Sequence, residues 1–441
     1  MNRLAREIET KCNVPTVAAS GANVAGYKDY LLKYSNGMPI RSVAIPFPVA
    51  GQPREVHRRY VEGNDPLTGK PLMQSIIDAF TKPLTEEELM AGLPPGAEPE
   101  PRLLKPDTEA NLHRLFKENE WTDFNSIILP TEARVAELLR ATSRKPDEVV
   151  SSSGSRELTV EKAAVFAVMA GAKPEHFPVV LAALTRSGGY GNSTSSLANM
   201  IVINGPVRKE LGMHSGMAVM SPMGEVNSVV GRSFTLAGKM LGDVRVKGAA
   251  YSSIGSGLQY NNLTIAENEE LLPPGWDSLA VSLGHTPTEN VLSVGSGWSY
   301  ISSVGEALLT HGPHQLMADY MRALPSPAAT IIMDPTVAGL LQSVHGFKTK
   351  AELGQWLSNN IEVTARTYWG QGVNATANEP LAIQGLEPFA TWRKVSPNTL
   401  IKPFNNPRAI NVIVTGGNIQ TTWFATDFRF AGRGILIDDW K

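Results

Sequence analysis

Residues 199–227 read NMIVINGPVRKELGMHSGMAVMSPMGEVN, and this stretch decides the fold class. The apolar run Met200–Ile203 has the length and composition of a buried strand, and it stops at Asn204-Gly205-Pro206, where turn residues take over. Arg208, His214 and Ser215 follow at once. A strand, a glycine turn and a polar cluster in that order describe the carboxyl edge of an open α/β sheet, the edge at which such sheets hold ligands. Three more apolar runs, Asn290–Val294, Thr330–Met333 and Asn411–Val414, also lead into Gly, Pro or Asn, with helical patterns between some of them. The expectation is an α/β protein made of doubly wound sheet domains.

On the amino-terminal side of this stretch lies a well-marked helix. Thr159 is its expected N-cap, Glu161 sits in the first turn, and Val160, Ala163, Ala164, Ala167 and Val168 form one apolar face before Gly171 and Pro174 stop it. Nearer the start, Leu4, Ala5 and Ile8 repeat at helical spacing, Thr16–Ala19 and Ser42–Ile45 read as strands, and Leu72–Phe80 and Glu86–Ala91 read as helices. The segment GLPPGAEPEPRLLKP at 92–106 is too rich in proline for regular structure. Ile127–Leu129 resembles a short strand, and SSSGS at 151–155 resembles a flexible joint. The expected organisation is a small N-terminal partial Rossmann-like domain (1–92), a linker with short elements (93–155) and a large α/β domain with glycine-rich strand-end loops (156–441).

Forty basic and 42 acidic residues in 441 give a net charge of -2, which supplies no electrostatic pull toward nucleic acid or anionic lipid. The longest apolar runs are about half the roughly 20 residues that a membrane helix needs, so no membrane span is expected. The first residues lack a signal-peptide pattern, and the single cysteine, Cys12, has no internal disulfide partner. The cytoplasm is the expected compartment.

Nucleophile-elbow and Walker A motifs are absent, and GSGWSYISS from Gly295 has Tyr300 where a dinucleotide fingerprint needs its third glycine. His311 and His314, separated by Gly-Pro, form the one close histidine pair and are weak metal candidates, since no further ligand lies nearby. The candidate site therefore gathers at the strand ends. Arg208 could grip a carboxylate with its planar fork of donors, and His214 with Ser215 could carry protons. Asn204 and Gly205, Gly188 and Gly189 in RSGGYGNSTSS, and Thr415, Gly416 and Gly417 in TGGN offer polar groups to a small anionic substrate. Nothing in the sequence specifies a cofactor.

Several blocks resemble the UGSC-type (seleno)protein family, which is related to the selenoprotein of glycine reductase component B. They are LAREIETKCNVPTVAAS, SVAIPFPVAGQP, ELTVEKAAVFAVMAGAKPEHFPVVLAAL, INGPVRKELGMHSG, DPTVAGLLQSVHGFKTKAEL and IVTGGNIQTTWF. The resemblance implies reductive or lyase-type cleavage of a carbon–heteroatom bond in a small polar, carboxylate-bearing substrate. In that family a redox cysteine or selenocysteine precedes the helix that here begins at Met1, so the implied protein is an oligomeric, heteromeric enzyme subunit whose thiol or selenol comes from a small partner chain. Two other functions compete with it: a metal-assisted hydratase or hydrolase, and a non-catalytic binding or scaffold subunit. Cys12 is expected to be a small structural residue with no activating base or cation beside it. Cys12→Ser should accordingly keep turnover near wild type, and a thousandfold loss with the fold intact would contradict this.

Overall fold

Apolar runs bounded by turn residues become strands in the computed structural model, which describes residues 2–24, 40–49, 52–90, 102–153, 156–190, 197–244, 252–303, 312–325, 328–419 and 421–441. In chain order the strands are β1 (Val17–Gly21), β2 (Arg41–Ile45), β3 (Val149–Ser153), β4 (Arg156–Thr159), β5 (Ala198–Asn204), β6 (Leu263–Ala266), β7 (Val291–Gly297), β8 (Tyr300–Ser302), β9 (Ala329–Met333), β10 (Val363–Thr364), β11 (Leu400–Ile401), β12 (Ile410–Val414), β13 (Trp423–Thr426), β14 (Arg429–Phe430) and β15 (Ile435–Leu436). The helix Val160–Ala170 forms as its caps dictate, with Thr159 Oγ1 accepting from Lys162 N–H and Gly171 closing the end at φ 92°.

Two mixed sheets dominate residues 198–436, one of five strands in the order β14-β7-β5-β6 with β15 also paired to β7, the other of four in the order β12-β9-β13-β8. They repeat one topology. In the first, β5 pairs parallel with β6 and antiparallel with β7. In the second, β9 pairs parallel with β12 and antiparallel with β13. The fourth strands are exchanged between the halves: β8, which follows β7, pairs with β13, and β14, which follows β13, pairs with β7.

Alternating side chains show how the sheets stack. Ile201 and Ile203 of β5 join a core with Phe177, Leu181 and Phe234 of neighbouring helices. Met200 and Val202 point the other way, into a core shared with Ile332 of β9 and Ile413 of β12. Ile331, Met333, Val412 and Val414 in turn face Leu341, Leu353 and Leu357 of the second set of helices. The layers therefore run helix, sheet, sheet, helix. The α/β class is as expected, but each sheet has helices on only one face, which differs from a doubly wound arrangement. An apolar strand face reads the same whether a helix or another sheet covers it.

The segment 102–153 is not a free tether: Phe116, Ile127, Val135, Leu138 and Val150 belong to the first core. Ser151–Ser153, read as part of a joint, lie in β3 and pair with β4. Ile127–Leu129 forms no strand, its Ile128 N–H instead donating to Met169 O at 3.4 Å. At the amino-terminal end, β1 and β2 form a parallel pair beside helices Asn2–Cys12 and Leu72–Thr81. Cys12 is exposed at the end of its helix and is not a core residue. No helix among the described residues is long and apolar enough to cross a membrane.

The exchange point between the sheets is held by Asp427, 1% exposed, whose Oδ1 accepts from Trp298 N–H and Ser299 N–H at 2.8 Å each. Its Oδ2 is buried without a hydrogen-bond partner, and burial raises the carboxyl above the ordinary aspartate range. The folded state thus holds this proton more tightly than the unfolded chain does. Its contribution to stability is complete below the unfolded value and declines as pH rises through the higher folded one. Asp427→Asn cannot ionise and should gain stability relative to wild type as pH rises above about 4, the ordinary aspartate value. Urea unfolding over that rise in pH checks it, and a constant difference would contradict it.

Candidate functional site

The carboxyl ends of β6 and β12 meet, with Asn268 N–H donating to Val414 O at 2.8 Å and Thr415 Oγ1 donating to Ala266 O at 2.8 Å. Glu267, fully buried, sits at this junction. Its Oε1 accepts from Lys350 Nζ at 2.6 Å and Val414 N–H at 3.2 Å, and its Oε2 from Asn204 Nδ2 at 2.8 Å and Leu279 N–H at 2.6 Å. A buried carboxylate is tolerated when opposite charge and donors surround it, and here both are present.

Arg208 belongs to the same network. Its Nε donates to Gly205 O at 3.0 Å, one terminal nitrogen to Glu267 O at 2.7 Å and Glu270 Oε2 at 3.2 Å, and the other to Glu269 Oε2 at 2.8 Å and Glu270 Oε1 at 3.0 Å. A guanidinium has five N–H donors, so none remains for a substrate carboxylate. Arg208 is 4% exposed and acts as a tether between the β5 turn and the 267–270 segment, which corrects its expected role as an anion anchor. Glu270 is held down at about 2, chiefly by its hydrogen bond to Arg208. Gly205 has φ 93°, and a Cβ there would lie 2.2 Å from Glu289 O, so the turn accepts only glycine.

In the second half the equivalent strand ends are open. A cavity of about 310 Å³ is lined by Ile332, Met333 and Asp334 at the end of β9, by Thr415, Gly416 and Gly417 after β12, by Met217–Ser221, and by Ile419, Thr422 and Phe424. Asp334 is the N-cap of helix Pro335–Ser343: Oδ1 accepts from Val337 N–H at 2.8 Å and Oδ2 from Thr422 N–H at 2.5 Å. Burial nonetheless raises its carboxyl above the ordinary aspartate range, against the pull of those N–H groups. An acid whose proton is held more tightly than usual, on a cavity wall, suits proton transfer.

The expected residues divide among three places. Thr415, Gly416 and Gly417 line the cavity, but Thr415 N–H donates to Met333 O and Gly416 N–H to Ser215 O, both at 2.9 Å, so these two donors are spent internally. Gly417 is small because Met217 lies on it, a Cβ there meeting Met217 Cγ at 2.3 Å. His214 and Ser215 flank the cavity without lining it: the His214 ring Nε2 is 2.6 Å from Met217 O, and Ser215 O accepts from Gly416. Asn204, Gly205 and Arg208 form the sealed network of the first half. Gly188 and Gly189 lie apart in a short turn where a Cβ on Gly188 would sit 2.4 Å from Ser152 O. His311 lies outside the described residues, and His314 packs with His345, Phe347 and Trp356 at centroid distances of 4.7, 5.3 and 4.6 Å. Among the described residues no group of three or more His, Cys, Asp or Glu could hold a metal ion. Sequence reading missed Asp334, although Asp-Pro directly after an apolar run is a helix-start signal at a strand end.

Because Lys350 is the positive charge on a fully buried carboxylate, Lys350→Met should cost about 3–5 kcal/mol, the range for leaving a buried charge uncompensated. Chemical denaturation measures this, and a loss under about 1 kcal/mol, a single hydrogen bond's worth, would show that the network does not hold the strand ends. No family model, curated protein or solved structure matches the chain.

Proposed function

We propose that the chain is the substrate-binding subunit of a heteromeric enzyme that cleaves a carbon–heteroatom bond, with the cavity at the ends of β9 and β12 as its site and Asp334 as its proton carrier. One observation carries this: a buried carboxyl with a raised pKa forms part of the wall of a strand-end cavity large enough for a small molecule. We take the class of chemistry, reductive or lyase-type, and the assignment of the thiol or selenol to a partner chain from the resemblance of the sequence blocks to the UGSC-type proteins. In the first step a bond forms between the partner's thiolate and a substrate carbon as the carbon–heteroatom bond breaks. The electron pair leaves with the heteroatom, and Asp334 protonates it. The cavity holds the substrate in line for that attack. His214 takes no direct part in this scheme and serves to hold the Met217 loop.

Purification of the native protein should yield a cysteine- or selenocysteine-bearing partner, and the reconstituted pair should turn over a member of a panel of small C–N, C–O and C–S compounds. Asp334→Asn keeps an acceptor for the Val337 N–H but loses the one for Thr422 N–H, so circular dichroism and thermal unfolding should first show the variant folded. Its kcat should fall about 10²–10⁴-fold, the range for general acid catalysis. A kcat within twofold of wild type would remove Asp334 from the mechanism.

A further inference from the structure

We infer that the cavity beside Asp334 takes an uncharged ligand with an apolar body and one hydrogen-bonding group, and that it discriminates against carboxylates. This rests on the cavity being the substrate site and goes further, to the class of substrate. Among the described residues that line it there is no Lys, Arg or His, and Asp334 is the one ionisable group. A ligand carboxylate would leave water with no counter-charge to receive it, beside an acid of the same sign. Three backbone donors at this strand end are committed elsewhere: Thr415 N–H to Met333 O, Gly416 N–H to Ser215 O and Thr422 N–H to Asp334. Arg208, the nearest expected anion anchor in sequence terms, is saturated by Glu269, Glu270 and two carbonyls.

What remains is a largely apolar vessel in which Asp334 is the one ionisable contact and the Ser221 and Thr422 hydroxyls are neutral polar groups. Ile332 and Met333 are each 1% exposed and form a fixed floor. Phe424 is stacked on Tyr300, with centroids 4.7 Å apart and planes 28° off parallel, which makes it a rigid wall. Met217 and Ile419 are 58% and 74% exposed at the rim, where an unbranched thioether can adapt to the ligand's shape. Asp334 can donate to a carbonyl oxygen when protonated and accept from an amide N–H when ionised, so an amide or an alcohol satisfies it in either state.

The test uses isosteric probes on the full chain at pH 7, read by NMR of ¹³C-methyl-labelled methionine. Isovaleramide should shift the methyl signals of Met217, Met220 and Met333 in a saturable way, and isovalerate should bind at least about tenfold more weakly, a factor that corresponds to about 1.4 kcal/mol. Ile419→Lys, a change at an exposed rim position, should narrow or reverse that ratio by supplying the missing cation. Equal or tighter binding of isovalerate by the wild-type chain would overturn the inference, as would saturating neither probe. The two proposals fail separately. Amide binding with no turnover in any reconstituted pair strikes the enzymatic reading alone, whereas turnover of a carboxylate in this cavity strikes the ligand class alone.

Discussion

Everything at the strand ends depends on where Glu267 can be buried. A carboxylate with no solvent exposure must find a cation and several donors, and this one is met by Lys350, the Asn204 amide and the N–H groups of Leu279 and Val414. These groups come from both halves of the large domain. The charge is compensated only when the end of β6, the end of β12 and the helix Lys350–Asn360 arrive together, so the ion pair acts as a registration device for the two sheets. With β12 so placed, the turn Thr415–Gly417 is set against the Met217 loop, and the cavity acquires its walls.

The repeated topology explains why there is one sealed strand end and one open one. Both halves place a polar residue where the central strand ends, Asn204 as the last residue of β5 and Asp334 directly after β9. In the first half Glu267 and the Arg208 guanidinium fill the space over Asn204. In the second, Asp334 meets only backbone N–H groups and a cavity. Two similar frames thus serve different ends, one holding the halves together and the other leaving room for a ligand. Exchange of β8 and β14 makes neither half complete alone, because each sheet's fourth strand belongs to the other half's chain path.

Much of the local structure was legible in residues. The runs at 200–203, 330–333 and 411–414 are strands because apolar residues of strand length stop at turn formers. The helix from Val160 starts at Thr159 and ends at Gly171 because side-chain capping and a left-handed glycine are local matters that the neighbouring residues settle. The positions of Thr415, Gly416 and Gly417 beside a cavity also followed from glycine at a strand end.

Tertiary structure alone decided partnerships. Arg208 and a surface arginine look identical in sequence, and only the approach of Glu269 and Glu270, about 60 residues downstream, consumes its donors. Strand direction was equally hidden, since the apolar run of β7 carries no mark of being antiparallel to β5, nor do buried faces reveal whether helix or sheet will cover them. Segment 102–153 has the proline-rich approach of a tether, yet Phe116 and Leu138 find the main core. The sequence by itself determined the main buried strands and the capped helix from Val160, because hydrophobic period, capping and φ restriction act within a few residues, whereas Ile127–Leu129 and Ser151–Ser153 took their states from their partners. Which side chains are spent on one another and which are left facing a cavity depends on contacts between segments far apart in the chain, and those exist only once the two sheets have closed.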